Sequence, residues 1–437
     1  MAAEPTEVGR RSTSPPRNGL GSLVAMPNAT AVHAGFWRTM VGAVAVGALT
    51  AVVSLVFLAV EHVLTGWLWG HDGAPTAMFS GSWWNVATVL VAGLVVGLLR
   101  RRLRLPGPDP NFVTEMVEGE VGARRGAGYG LLGLVSIVGG ASIGPEAPLG
   151  SLGGWLGSAV GRRIGAGREP VEDLTYAGIA GVFGGLGTLP LAGPVMALEV
   201  YHERWQDRPY RMLPGIVSGT VAIAILFPFI GSPFLAVYNL GAHDLHVSWL
   251  GYAVLLGLLG AGLGVLATWA TARVGQRIAN PLVRATAAGA VLAAVGYAVP
   301  LTMFSGRSEL GTILGHGSAA VGMGLLLTVL VLKLATFSVS MTWGFFGGPI
   351  FPLIFVGAVA GVVVHTAIPA LPLVVAVPAL AGAVAVALLP MPMMVIILTS
   401  MMFGLSLQLS VLPSVSVITS LVLLRGTGVL THGSAAD

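Results

Sequence analysis

The sequence predicts an all-α, polytopic membrane protein, and three observations carry that prediction. Of 437 residues, 55% are hydrophobic and only 9% are charged, giving a mean hydropathy of +0.86, beyond the range of a soluble domain of this size. From Leu334 to Leu424 there is no Asp, Glu, Lys or Arg, a run far too long for one helix. The apolar stretches are cut by Gly and Pro into pieces of helical length. Helices follow because hydrocarbon offers no partner to an open backbone, and irregular backbone survives at depth only when buried in protein or lining a polar cavity. The absence of cysteine removes disulfides and thiolate metal sites. The net charge of +4 is small and sits mainly in the tail and loops, which speaks for membrane topology rather than nucleic-acid binding.

Taken in order, residues 1–30 are polar and proline-containing and predict a disordered, cytoplasmic N-terminus. They lack the apolar core of a signal peptide. A transmembrane domain is expected over 31–425, followed by a short tail, 426–437. The first span reads Phe36 to Val60, with Glu61 and His62 opening a loop to about Ser82. The second, Trp83 to Leu99, ends in Arg100-Arg101-Arg102-Leu103-Arg104. Arg10, Arg11, Arg17 and Arg38 flank the first span, so two crossings put both arginine groups on one face, and the positive-inside rule makes that face cytoplasmic. Further pieces cover 126–143, 147–161, 174–198, 212–241, 247–272 and 284–305. In the uncharged last third, breaks are expected at Gly344–Pro352, Pro369–Pro372, Leu389–Pro392 and Pro413.

The breaks come in matching pairs. Gly144-Pro145-Glu146-Ala147-Pro148 precedes Gly150, Gly153, Gly154 and Gly157; Gly348-Pro349-Ile350-Phe351-Pro352 precedes Gly357 and Gly361. Each unit leads to a second proline pair, Leu189-Pro190 with Gly193-Pro194, and Leu389-Pro390-Met391-Pro392. Two related halves are expected, about 36–230 and 245–424, and interrupted segments in corresponding positions mark a transporter's binding site. The small-residue spacings after each unit predict tight helix packing. Glu146 stands out: a carboxylate at bilayer depth costs about 3 kcal/mol and reads as functional. Pro145 and Pro148 place it at the start of a helix, whose free N–H groups and positive dipole end suit an anion.

These motifs resemble those of the CLC chloride channel and transporter superfamily. Gly144-Pro145-Glu146-Ala147-Pro148 is similar to its G-x-E-x-P element. Gly348-Pro349-Ile350-Phe351-Pro352 is similar to G-x-F-x-P, with the Phe one place late. Pro106-Gly107-Pro108-Asp109-Pro110 stands where the family has G-S-G-I-P, and only the last proline matches. The spelling looks most similar to a divergent bacterial branch described as ion-channel proteins, and the resemblance spans roughly 36–424. It implies an inverted repeat with broken and re-entrant helices, and a homodimer in lipid with one anion pathway per subunit. Glu146 would be the gating or proton-carrying glutamate. Anion contacts would come from Gly107, Pro108, Gly144, Pro145, Ala147, Gly348, Ile350 and Phe351. Chloride or another small anion, alone or together with protons, would be the cargo. No cofactor or metal is implied.

Departures accompany the match. Gly107 replaces the family's serine and brings no hydroxyl. Pro349 lacks an N–H where one would face the ion. No Tyr follows Tyr297, although the family's anion-contacting tyrosine lies near the C-terminus. Ten residues after Pro190, where proton-coupled exchangers carry an inner glutamate, stands Val200, as in passive channels; Glu199 and Glu203 remain as candidates for an inner proton relay. Passive chloride conduction is therefore expected ahead of H+/anion exchange, with fluoride as an alternative cargo.

The other polar residues have plainer readings. Asp109, Glu115, Glu118 and Glu120 are expected on a solvated face. Arg307 and Glu309 are expected to pair at a membrane interface, Lys333 to snorkel from a helix end, His365 to be a satisfied buried histidine, and the methionines at 391, 393, 394, 401 and 402 to pack. An enzyme is not expected: there is no H-E-x-x-H element, and no G-x-S-x-G serine within a span. A cation pathway would place several acids along its length, and only Glu146 qualifies.

Overall fold

The computed structural model describes residues 34–70, 82–105, 121–165, 168–187, 190–200, 211–230, 238–241, 243–275, 278–315, 321–389 and 391–428. Among these, the regular structure is helical. The elements are α1 (Ala34–Trp69), α2 (Trp83–Leu103), α3 (Ala123–Val138), α4 (Glu146–Arg163), α5 (Arg168–Gly187), α6 (Ala192–Val200), α7 (Leu213–Ile230) and α8 (Ser248–Val274). They continue with α9 (Pro281–Ala298), a 3-10 turn over Pro300–Thr302, α10 (Arg307–Gly315), α11 (Met323–Thr342), α12 (Ile350–Ala367), α13 (Leu373–Ala385), α14 (Pro392–Met402) and α15 (Val411–Gly426). Among the described residues, five helices are long and apolar enough to cross a membrane: α1, α8, α9, α11 and α12.

The broken-helix expectation holds at both units. α4 starts at Glu146 after Pro145, and α12 starts at Ile350 after Pro349. Each first closes its backbone ladder with the same bond, Leu149 N to Pro145 O and Leu353 N to Pro349 O, both 3.1 Å. The small-residue stripes are packing faces. A side chain at Gly157 would strike the Leu174 carbonyl on α5, and one at Gly361 would strike Ala376 and Val377 on α13, so both helix pairs touch backbone to backbone. α13 is buried along nearly its whole length, in contact with α8, α12 and α15.

The halves grip each other reciprocally. Ser136 and Ser142 stand the same number of residues before Ser340 and Phe346 as Gly144 stands before Gly348. Ser142 N donates to Ser340 Oγ, and Phe346 N donates to Ser136 Oγ, both 3.1 Å. Arg100 and Gly140 have Phe304 and Gly344 as their counterparts by the same count. Arg100 Nε donates to Gly344 O at 2.5 Å, and Phe304 N donates to Gly140 O at 3.2 Å. Swapped donor and acceptor roles are what a two-fold relation between repeats produces.

Several boundaries differ from the sequence reading. α1 continues to Trp69, so Glu61 and His62 lie within the helix rather than opening a loop. Helical periodicity persists through them because a long helix tolerates polar residues where it passes charged neighbours, and the Arg307 field reaches Glu61. The piece 174–198 is divided between α5 and α6 around its proline pair, 212–241 ends as helix at Ile230, and 284–305 ends as helix at Ala298. Pro413 falls in the first turn of α15 and Pro378 inside α13. Arg100, grouped by sequence with Arg101, Arg102 and Arg104 on the cytoplasmic face, is 2% exposed. Lys333 does not snorkel: it is fully buried mid-helix. Glu309 is buried rather than at an interface, and the Arg307 charge reaches its carboxyl group. His365 Nδ1 meets Leu371 O at 2.7 Å, in line with the satisfied-histidine reading.

Candidate functional site

The site is the point where α4 and α12 begin. Gly144 and Gly348 pair as an isolated antiparallel bridge, with N to O distances of 2.8 and 2.7 Å. This two-residue clasp holds both helix N-termini at one buried spot. A Cβ on Gly144 or Gly348 would overlap the Glu146 carboxyl group as it is seated, so a side chain at either position would displace it. The clasp therefore forms the wall of the carboxylate's seat.

Glu146 is 1% exposed. Its Oε1 accepts the N–H of Phe351, in the first turn of α12, at 3.1 Å, and its own backbone N–H also bonds the carboxylate. Oε2 has no hydrogen-bond partner among the described residues. The first amides of a helix have no intrahelical acceptor and carry about half a positive charge between them, so a negative group at this junction is attracted by two dipoles. Pro148 and Pro352, one per helix, withdraw one donor each. Ala147, Ile350 and Phe351, expected as donors, are all buried in these first turns. Pro145 and Pro349 are the residues just before the two helices.

A cation stands beside this seat. The Arg307 guanidinium lies 5.6 Å from the centre of the Phe351 ring, and its charge reaches Glu146 as well as Glu61. The Tyr238 hydroxyl donates to the Arg307 carbonyl, tethering the start of α10. Tyr129 stacks on Phe346 with ring centres 4.4 Å apart, filling the space ahead of the second clasp residue. Sequence reading pairs Arg307 with Glu309 at a membrane interface, with attraction of anions as the lesser reading. The place of Arg307 in a Ser-Gly-Arg turn gave no clue that α10 would abut α12.

Glu199 is placed elsewhere. From α6 it reaches the start of α14, where Oε1 accepts Met393 N at 2.5 Å and Oε2 accepts Met394 N at 2.9 Å. It thereby satisfies orphan amides of a helix in the other half, a cap that spacing alone does not reveal. Gly107, Pro108 and Glu203 lie outside the described residues, as do Asp109, Glu115, Glu118 and Glu120.

A family model described as voltage gated chloride channel matches residues 92–425. The chain belongs to that family. Its members are ion channels and transporters rather than enzymes, and this CLC protein is accordingly an integral, multi-pass membrane protein. The protein YfeO of Salmonella newport (strain SL254) is 27% identical over 344 residues, covering 76% of this chain and 81% of its own. That of Salmonella paratyphi A (strain ATCC 9150 / SARB42) is 26% identical over 342 residues, with the same coverage. Among solved structures, a slow cyanobacterial Cl−/H+ antiporter superposes with a TM-score of 0.77 at 20% identity, covering 90% of this chain and 95% of its own. A CLC-type fluoride/proton antiporter gives 0.70 at 18%, covering 90% and 96%. At these identities the structural likeness carries the fold.

Proposed function

We propose that this CLC protein transports small anions, chloride first, along a pathway gated by Glu146. One observation carries the reading: the Glu146 carboxylate is seated where two opposed helix N-termini converge, accepting the Phe351 amide. A seat that suits a tethered anion suits a free one. Amide dipoles offset the desolvation of chloride without a full positive charge that would trap it. Carboxylate and chloride are both negative and share one set of donors, so they occupy it in turn. The Arg307 charge favours anions over cations near the seat.

We read the mode as passive, because Val200 stands where the resemblance calls for an inner proton-carrying glutamate. A second reading, anion/proton exchange, has support from two proteins of like fold, named as Cl−/H+ and fluoride/proton antiporters. Glu199 would then serve as the inner relay, after breaking its two bonds to α14. The protein would act as a homodimer in the bacterial cytoplasmic membrane, with its N-terminus on the arginine-rich, cytoplasmic face.

The test is anion and proton flux from liposomes holding the purified protein. Chloride efflux above that of empty vesicles, altered in Glu146→Ala and Glu146→Gln, supports the reading. Efflux equal to empty vesicles in all three ends it. Uphill proton movement driven by a chloride gradient would select exchange.

A further inference from the structure

Behind Phe351 lies a second group of buried charges that the gate does not use. Lys333, on α11, is 0% exposed. Its Nζ donates to the carbonyls of Thr302, Met303 and Phe304 at 3.2, 2.8 and 2.7 Å, and lies 4.9 Å from the centre of the Phe355 ring. Three carbonyls around the amine match the three donors of an ammonium ion. The buried acid whose field reaches it is Glu309, on α10, 1% exposed.

Glu309 is poorly furnished for an ionised carboxylate. All three Lys333 donors are engaged by carbonyls. Oε1 of Glu309 meets Ser308 Oγ at 3.3 Å, and its own backbone N–H reaches the carboxyl group. Oε2 has no hydrogen-bond partner among the described residues. An ionised carboxylate offers about four acceptor sites, and leaving them bare at depth is costly, whereas a carboxyl group holding a proton needs far fewer donors.

We propose that Glu309 is a second proton-binding carboxyl, whose ionisation competes with Glu146 for the charge of Arg307. Taking one proton from solution makes Glu309 neutral and leaves Arg307 to act on the seated Glu146. Releasing it places a negative charge two residues from Arg307 and weakens the hold on the gate. The charged and titratable groups around Glu309 are Lys333 from α11, Arg307 on its own helix, and Tyr238, which precedes α8. Glu61 from α1 and Glu146 from α4 are linked to it through Arg307. The proton site stands on its own geometry; only its effect on flux rests on the transport reading above.

Infrared difference spectroscopy across a pH step, in a Glu146→Gln background, reads the site without transport. A protonated-carboxyl C=O band is expected that disappears in Glu309→Gln and moves in frequency in Glu309→Asp. A band that stays unchanged in both variants overturns the proposal. Chloride efflux against pH is the second measurement, with Glu146 intact: the wild type is expected to show two inflections and Glu309→Gln only one. If the band is lost but the two profiles superimpose, competition for Arg307 is overturned. If the band is lost while no variant conducts above empty vesicles, the transport reading fails and the proton site stands.

Discussion

At the residue scale, the candidate site reduces to one carboxyl group and the two glycines that make room for it. Removing the carboxylate with Glu146→Ala is expected to raise chloride efflux by about tenfold, the change in occupancy that about 1.4 kcal/mol of seating energy implies. Efflux at or below wild type would contradict that. Gly348→Ala should clash with the same carboxyl group. It is expected to lower the midpoint of thermal unfolding, and Glu146→Ala in the same chain should restore much of the loss. If the double variant melts no higher than Gly348→Ala, the overlap is not the cause. Glu146 was readable in the sequence because an acid between two prolines in an apolar run has few structural excuses. Arg307 and Lys333 were not, since their neighbours come from α11 and α12 and no local pattern encodes them.

The elements are held by bonds that cross from one half to the other. Ser136 Oγ and Ser340 Oγ each accept a hydrogen bond from a buried amide of the opposite repeat. Replacing either by Ala leaves one N–H without its acceptor, at a cost of about 1–3 kcal/mol. The two variants should lower the unfolding midpoint by similar amounts, because their settings are equivalent; strongly unequal shifts would tell against the reciprocity. Glu199→Gln should also destabilise, by about 1 kcal/mol, as α14 loses a charged cap. A wild-type melting curve would show that the cap is not a structural bond. Helix positions were largely legible from Gly and Pro, since both interrupt the backbone ladder in ways composition cannot hide. Ends set by long-range contacts were not: α1 runs on through Glu61 and His62, whose polarity reads as loop until Arg307 is placed beside them.

For the whole molecule, the sequence disclosed two halves through repeated punctuation, but not that they clasp at Gly144 and Gly348. Spacing shows that a unit recurs; it does not say which amide meets which carbonyl. The clasp ties the integrity of the fold to the integrity of the site. If the membrane domain functions as a dimer, crosslinking in native-like bilayers should trap a species of twice the monomer mass in Glu146→Ala as in wild type. A monomer alone under those conditions would overturn the dimer.

Where the paired helix starts differ, one matched position differs in charge: Glu146 in the first half, Ile350 in the second. A conduit assembled from two like parts, flipped against each other, would look the same from either entrance. Planting an acid in one part only gives it a front and a back. Current should therefore flow more readily in one direction than in the other, and exchanging the pair, with Glu146→Ile and Ile350→Glu together, should reverse which direction that is.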